Sequence, residues 1–265
     1  FHGEGRKGVL SSEEVMEQIN GWCSENTEGL VPRMLDKPLD ITTRLVLLDA
    51  VYFKGDWLVP FEAGKTIQYP FTKEDGTEKK VDTMSMWETD QRYLHSELGE
   101  GVLLPYQGED FAYVAILPRE GMEVRELQRQ LTPEALAKLL ESENQELCNL
   151  RLPKYEVSFE RELNDSLQAM GLIRAFDDDQ ADFSGLEKAE QGSSLYISLV
   201  KQKAVFRVDE KGTEAAAVTM VTLDKCAALV SPQPRELYFD RPFVYMILDT
   251  ETQVPLFVGI MDDPG

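Results

Sequence analysis

The sequence predicts a mixed α+β fold in which sheet predominates, and three observations lead to this prediction. Apolar and polar side chains alternate along 150–159 and 196–209, as in strands that bury one face. Residues 45–53 form a nearly unbroken apolar run, which is typical of a strand buried on both faces. Apolar residues at helical spacing, such as Val15 and Ile19, are confined to shorter segments.

The helices are predicted from the residues at their ends. Ser11 and Glu14 have the spacing of a capping box, which places the start of a first helix there. Thr132 and Pro133 fit the N-cap and the first position of another helix. The helical pattern of 124–140 is therefore expected to break at that point.

The other elements are predicted from apolar runs between turn residues. In chain order they are strands around a turn at 74–76, strands at 102–105 and 112–117, a short helix at 163–170, and a hairpin of 244–248 with 254–260. The alternation of 150–159 changes phase near Lys154, which predicts a break between two strands. Along 196–209, Phe206 and Val208 share one face, and the strand leads directly into an unusual segment.

The segment after residue 209 has the composition of a strand but the position of a loop. Gly212 opens it, and β-branched residues make it a poor helix. If it is extended, its alternate positions form a small uncharged face: Thr213, Ala215, Ala217, Thr219 and Val221. Glu214 falls on the opposite face, so the segment could enter a sheet core without burying a charge.

This segment and its flanks resemble the serpins, which are serine protease inhibitors. The motifs that carry the resemblance are E-K-G-T-E-A-A-A-V-T from Glu210, F-D-R-P-F from Phe239 and P-L-F-V-G-I-M-D-D-P from Pro255. Two further motifs occur in the family order, L-D-A-V-Y-F-K-G-D-W from Leu48 and L-P-K-Y from Leu152. The resemblance covers roughly the last two thirds of the family fold.

The resemblance implies a serpin-like multi-sheet fold with a mobile reactive-centre loop at about 210–237. It implies one domain over 1–265 that lacks the N-terminal helical part of the family fold. It also implies a hinge at the start of the loop, made by Glu210, Gly212, Thr213, Ala215, Ala216 and Ala217.

The resemblance also locates a reactive bond within the loop. In similar inhibitors this bond lies sixteen residues after the hinge glutamate, which gives Cys226–Ala227 in this sequence. Cys226 or Ala227 would suit a small apolar pocket, as in an elastase-like enzyme, and this specificity is favoured. Lys225 would suit a trypsin-like enzyme, and Leu223 a chymotrypsin-like enzyme.

Four residues outside the loop are expected to support it. Lys154 matches the ion-pair partner of Glu210 in similar serpins, and Trp57 lies in the motif of the central strand. Asp49 is a lone acid in an apolar run, where relatives usually carry Asn, and Gln202 replaces a frequent His. Asp49 and Gln202 are expected to pair as acceptor and donor under the opening of the sheet.

Composition limits the classes of function and partner. The chain has 48 acidic and 27 basic residues and a net charge of -21, which argues against nucleic acid and anionic membrane surfaces. No run reaches the ~18 apolar residues of a membrane span. Three cysteines, an odd number without metal-ligand spacing, argue against a disulfide framework and a metal site. No cofactor is expected.

The sequence favours a protein inhibitor over an enzyme. It contains two histidines and no nucleophile-elbow, metalloprotease or P-loop motif. A thiol at Cys226 activated by His95 is a weaker alternative. The expected partners are a target serine protease and an N-terminal fragment of the same protein, and the expected location is extracellular. The rival hypothesis is a non-inhibitory serpin that acts as a carrier or a chaperone-like protein.

Overall fold

The computed structural model describes residues 4–186, 195–213 and 233–265. The chain divides into two compact units, each built from two stretches. Unit 1 comprises Phe1–Phe53 and Val157–Phe206, and unit 2 comprises Lys54–Glu156 and Arg207–Gly265. The single serpin-like domain expected over 1–265 stays a prediction.

The elements confirm an α+β fold dominated by sheet. The helices are α1 (Glu13–Asn26), α2 (Val124–Gln130), α3 (Pro133–Glu141) and α4 (Asn164–Ala169). The strands are β1 (Leu45–Tyr52), β2 (Gly55–Asp56), β3 (Ile67–Thr72), β4 (Glu78–Ser96), β5 (Gly99–Pro105), β6 (Phe111–Pro118), β7 (Asn144–Pro153), β8 (Tyr155–Glu162), β9 (Ile197–Val208), β10 (Gly212–Thr213), β11 (Arg235–Tyr238), β12 (Phe243–Asp249) and β13 (Pro255–Met261). Two short 3₁₀ helices cover Ala63–Lys65 and Arg174–Phe176.

Unit 1 holds β1 and most of β8 and β9, which form a three-stranded sheet in the order β1-β9-β8. β1 and β9 are parallel and pair directly from Leu45↔Ile197 to Tyr52↔Val205. Helix α1 packs on one face of this sheet, where Met16 and Cys23 share a core with Val205. The parallel pairing places the apolar run of β1 beside the alternating strand β9.

Helix α1 begins one residue later than its sequence predicts. Its N-cap is Ser12, whose Oγ accepts a hydrogen bond of 3.2 Å from the backbone N–H of Val15. Ser11 belongs to the preceding turn, because the N–H of Ser12 already binds the carbonyl of Val9. The capping box of Ser11 with Glu14 was therefore wrong, although both serines suit the role.

Strand β1 forms as predicted, but it is not buried on both faces within unit 1. Leu48 and Ala50 pack against the core under α1, whereas Leu47, on the other face, is 45% exposed. Among the described residues of unit 1, β8 also presents an apolar side chain that is partly open to solvent, Phe159 at 41%. The apolar run predicts that both faces of β1 are covered. The described residues of unit 1 leave the face that carries Leu47 partly exposed.

Unit 2 is built on an eight-stranded sheet in the order β11-β7-β4-β5-β6-β12-β13, with β3 paired to β4. Helices α2 and α3 contribute Leu127 and Leu139 to a core that includes Ile116 and Met246. Thr132 caps α3 by accepting from Ala135, as predicted. The predicted hairpin of β12 and β13 is confirmed by their antiparallel pairing.

The predicted break near Lys154 is confirmed, since β7 ends at Pro153 and β8 begins at Tyr155. Cys23 and Cys148 are free and buried. Within the described ranges, no helix combines the length and apolar character that crossing a membrane requires.

Candidate functional site at the end of strand β9

The chain leaves β9 through a tight turn that leads into β10. Gly212 and Thr213 of β10 pair antiparallel with Asp56 and Gly55 of β2. The turn is closed by the N–H of Asp209, which donates to the carbonyl of Gly212 at 3.1 Å. Gly212 has φ +138° and passes so close to β2 that a Cβ there would lie 2.1 Å from the carbonyl oxygen of Gly55. Glycine is required at this position by both its backbone angle and the space available.

Three hydrogen bonds from 57–61 fix this turn. The backbone N–H of Trp57 donates to Lys211 at 2.9 Å, and the indole N–H donates to the carbonyl of Asp209 at 2.8 Å. The N–H of Phe61 donates to the carbonyl of Glu210 at 2.8 Å. Trp57 is 1% exposed, so its indole N–H needs a partner, and the turn provides that partner.

The indole of Trp57 is held in place by other aromatic rings of unit 2. It stacks on Tyr106 with ring centroids 4.7 Å apart and an angle of 13° between the planes. Tyr113 meets it edge-on at 5.7 Å. The turn after β9 is thus attached to a rigid and buried part of the core.

The carboxylate of Glu210 has a partner on each oxygen. Lys154 Nζ lies 2.8 Å from Oε2, and the Thr66 hydroxyl donates to Oε1 at 2.6 Å. We call Glu210, Lys154 and Thr66 the hinge latch. Burial acts to raise the pKa of Glu210, but the hydrogen bonds from Lys154 and Thr66 outweigh it and hold the pKa below its ordinary value.

The expected contact between Lys154 and Glu210 is present, and its functional role stays a prediction. Thr66 was not predicted, since it lies 144 residues from Glu210 and no local pattern distinguishes it. The latch is poorly suited to acid–base catalysis, because an ion-paired carboxylate with a lowered pKa is a weak base. Its contacts instead join the turn to Lys154, which follows β7, and to Thr66, which follows the 3₁₀ helix at Ala63–Lys65.

The second pair predicted from the sequence lies in unit 1. Gln202 Nε2 donates to Asp49 Oδ2 at 2.7 Å, and the two residues are direct partners across β1 and β9. Asp49 is exposed in unit 1, so its carboxylate does not bear the desolvation cost expected inside an apolar strand. The contact is as predicted, and a role in sheet opening stays a prediction.

Several predicted site residues lie outside the described residues: Ala215, Ala216, Ala217, Leu223, Lys225, Cys226 and Ala227. Thr213 is described only through its backbone pairing. A cluster of three carboxylates, Asp177 to Asp179, follows the 3₁₀ helix at Arg174–Phe176. Asp177 is already used locally, since its carboxylate accepts from the backbone of Asp179 and from both nitrogens of Gln180.

The fold and this geometry define a class of α+β proteins in which the turn after a sheet strand is held by an indole, an ammonium group and a hydroxyl. The family is shown by the sequence as a whole. The model of the Serpin family, "serine protease inhibitor", matches residues 8–264, and the chain belongs to that family.

Individual relatives agree with this assignment. The chain is 36% identical over 250 residues to Iripin-8 of Ixodes ricinus, covering 93% of this chain and 61% of the relative. It is 34% identical to Serpin B10 of Bos taurus, covering 97% and 64%. The native crystal structure of Tengpin, a thermophilic serpin, superposes with a TM-score of 0.83 at 31% identity, covering 96% and 64%.

Another similar structure is that of a binding protein. Human thyroxine-binding globulin, solved in complex with its ligand, superposes with a TM-score of 0.82 at 27% identity, covering 96% of this chain and 66% of that chain. The chain therefore spans less than two thirds of the length of the first relatives named here.

Proposed function

We propose that this chain belongs to an inhibitor of serine proteases that acts as a suicide substrate, and that it is not itself an enzyme. The observation that carries the proposal is the latched turn at 209–212. It lies directly before a segment whose alternate positions, from Thr213 to Val221, form a small uncharged face if the segment is extended. A segment of that composition can join a sheet without burying a charge.

The first step is an ordinary attack by the protease on the loop. The serine Oγ of the protease adds to the carbonyl carbon of Cys226 and gives up its proton. The bond to the nitrogen of Ala227 breaks, the new amine leaves with a proton, and an ester joins Cys226 to the enzyme. An elastase-like enzyme is the favoured target, while cleavage after Lys225 or Leu223 would indicate a trypsin-like or chymotrypsin-like enzyme.

The second step is insertion of the freed segment between β1 and β9. About a dozen new ladder hydrogen bonds at ~1 kcal/mol each would favour insertion by on the order of 10 kcal/mol. Sixteen residue steps from Glu210 to Cys226, at ~3.3 Å each, carry the attached enzyme about 50 Å. Distortion of the acyl-enzyme then prevents deacylation, since a displacement of even ~1 Å can slow catalysis about 100-fold. The uncleaved protein is metastable in this mechanism.

We also propose that a further segment of the same protein covers apolar surface that is open in each unit. Leu47 and Phe159 are exposed in unit 1, and Leu256 and Val258 in unit 2. The relatives are longer than this chain, so they contain the additional residues that such a cover needs. The mass of the natural protein under denaturing conditions tests this proposal. We expect its location to be extracellular.

A carrier or chaperone-like function is the second candidate. The likeness to human thyroxine-binding globulin favours it, because that structure contains a bound ligand. The composition of the hinge favours inhibition, since bulky or charged residues would hinder insertion, and Thr213 and Ala215 to Ala217 are small and uncharged.

Two measurements distinguish these functions. The protein is mixed with pancreatic elastase, trypsin or chymotrypsin, and the products are separated on a denaturing gel. An inhibitor gives a covalent complex that survives denaturation, whereas a carrier gives only cleaved loop. Cleavage by a protease that is not trapped should raise Tm by roughly tens of degrees if insertion follows. Absence of both the complex and the rise in Tm would refute the proposal.

A further inference from the structure

Three aromatic rings surround one arginine on four adjacent strands of unit 2. The Arg151 guanidinium, on β7, lies 4.0 Å from the ring centroid of Tyr69 on β3, 4.5 Å from that of Tyr238 on β11 and 5.0 Å from that of Trp87 on β4. Tyr238 meets both other rings edge-on at 6.3 Å. We call these four residues the aromatic–arginine cluster.

Arg151 lacks the acidic partner that several other arginines of unit 2 have. Arg92 binds Glu143, Arg207 binds Glu156, and Arg235 lies near Glu100 and Glu146. No carboxylate in the described part of the chain forms an ion pair with Arg151, and its Nε is buried without a hydrogen-bond partner. In a chain with a net charge of -21, this cation is held by aromatic faces alone.

The position of Trp87 depends on an irregularity in β4. The pairing of β4 with β7 shifts between Met86 and Thr89, and Glu88 at this bulge has φ +52°. The Asn149 side chain supports the bulge by accepting from the N–H of Glu88 at 3.0 Å. Trp87 is 40% exposed as a result, and bulges commonly redirect a side chain in this way.

We propose that the aromatic–arginine cluster is a docking surface for the target protease, and that it receives an acidic side chain of the enzyme on Arg151. Tryptophan, tyrosine and arginine are the residues that most often dominate protein–protein binding, and in this cluster Trp87 is exposed while the other three residues are half-buried. The unpaired guanidinium selects a carboxylate, with which it forms two parallel hydrogen bonds. This inference rests on the proposed function.

The position of the cluster along the chain fits a protease bound to the loop. Tyr238 follows Cys226 by twelve residues, a span of at most about 40 Å when fully extended. An enzyme that binds the intact loop at Cys226, before cleavage, is therefore within reach of β11. Contacts there would add to those that the enzyme makes with the loop, and they would accelerate complex formation without altering the later insertion step.

The test compares three variants in a preparation that contains the whole natural protein. Trp87→Ala and Arg151→Met alter the cluster, and Val254→Ala is the control, since it shortens a 53% exposed apolar side chain just before β13 at the other end of the sheet. The enzyme is whichever of pancreatic elastase, trypsin and chymotrypsin forms the covalent complex fastest. For each variant we would measure the second-order rate of inhibition, the number of inhibitor molecules consumed per enzyme inhibited, and Tm.

For each cluster variant the rate is expected to fall about tenfold, the effect of losing one binding hot spot, with stoichiometry unchanged. The Arg151→Met rate should also depend less on NaCl concentration than the parental rate. Equal rates for Trp87→Ala and Val254→Ala would overturn the docking surface. A loss of Tm without a change in rate would show that the cluster only stabilises the sheet.

Failure of the proposed function gives a different result. If the parent is cleaved without forming a covalent complex, binding of the same protein to enzyme with its active-site serine replaced by alanine still tests the cluster. The dissociation constant should then rise about tenfold in Trp87→Ala and stay unchanged in Val254→Ala. Equal dissociation constants for the two variants would again overturn the proposed docking surface.

Discussion

Loss of the ion pair in the hinge latch is expected to destabilise the protein more than loss of an ion pair on its surface. Lys154 Nζ and Glu210 Oε2 are 2.8 Å apart, and the two side chains are only 33% and 13% exposed. Exposed pairs contribute about 0–1 kcal/mol, while breaking a fully buried pair costs about 3–5 kcal/mol. A cost of about 1–3 kcal/mol is therefore expected for Lys154→Met, because Glu210 keeps the bond from Thr66.

The assay is a double-mutant cycle in urea with Lys154→Met, Glu210→Gln and the two combined. The coupling free energy should be about 1–2 kcal/mol. The control is the pair of Arg207 with Glu156 in the same unit, which is 2.6 Å long but 43% and 52% exposed. Its coupling should be below about 1 kcal/mol. Lys154→Glu adds like-charge repulsion and should cause premature insertion or polymerisation, visible on gel filtration.

The coupling should also depend on pH. The folded-state pKa of Glu210 lies below its ordinary value of 4.5, so the stability it contributes is complete above about pH 4.5 and is lost as the pH falls through the folded pKa. Equal coupling in the latch and in the control pair would refute this reasoning. So would a coupling that is unchanged well below pH 4.5, where Glu210 is protonated.

Three other perturbations test separate parts of the structure. Thr213→Arg should convert the inhibitor to a plain substrate that is cut at the same bond, because an unpaired buried charge costs several kcal/mol during insertion. Glu214→Arg, the control, should reduce the yield of covalent complex far less. Equal yields for the two variants on a denaturing gel would contradict this prediction. Gly212→Ala should cost about 3 kcal/mol in urea unfolding because of its positive φ and its contact with Gly55, whereas Gly64→Ala, which meets no atom within 4 Å, should cost under about 1 kcal/mol. Asn164→Ala should cost about 2 kcal/mol, since the amide donates to Ser198 and accepts from Val200. Asn164-Asp165-Ser166 matches the N-glycosylation sequon. Because both groups of the Asn164 amide are engaged, it should carry no glycan after secretion from eukaryotic cells, and the intact mass of the secreted protein measures this.

Much of the fold could be predicted from the sequence, because the relevant signals are local. The break at Lys154 follows from a change of phase, and the cap of α3 follows from Thr132 and Pro133. Gly212 was predicted only to open a strand-like segment, and its close approach to β2, which requires glycine there, was visible only in three dimensions. The register of Asp49 with Gln202 followed from the resemblance rather than from either segment alone.

What the sequence could not predict depends on residues that are distant in the chain. Thr66 joins Glu210 through a loop that has no distinctive pattern, and Tyr106 meets Trp57 only because β5 ends beside it. The exposure of Leu47 could not be predicted either. An apolar run indicates that a strand is buried, but it does not indicate which residues cover it. The bulge that exposes Trp87 contains no glycine and no proline, so the usual signs of an irregular strand are missing.

The direct pairing of β1 with β9 determines how a third strand could enter between them. In the proposed insertion, the entering segment would run antiparallel to β9 and would meet the pair Tyr52↔Val205 before any other. Each step then exchanges one rung of the old ladder for two new rungs, much as one strand of a DNA duplex is displaced during branch migration. The bonds are never all open at once, so the barrier is concentrated at the first exchange. After that the process advances toward Leu45↔Ile197, and the eight residues of β1 set its length.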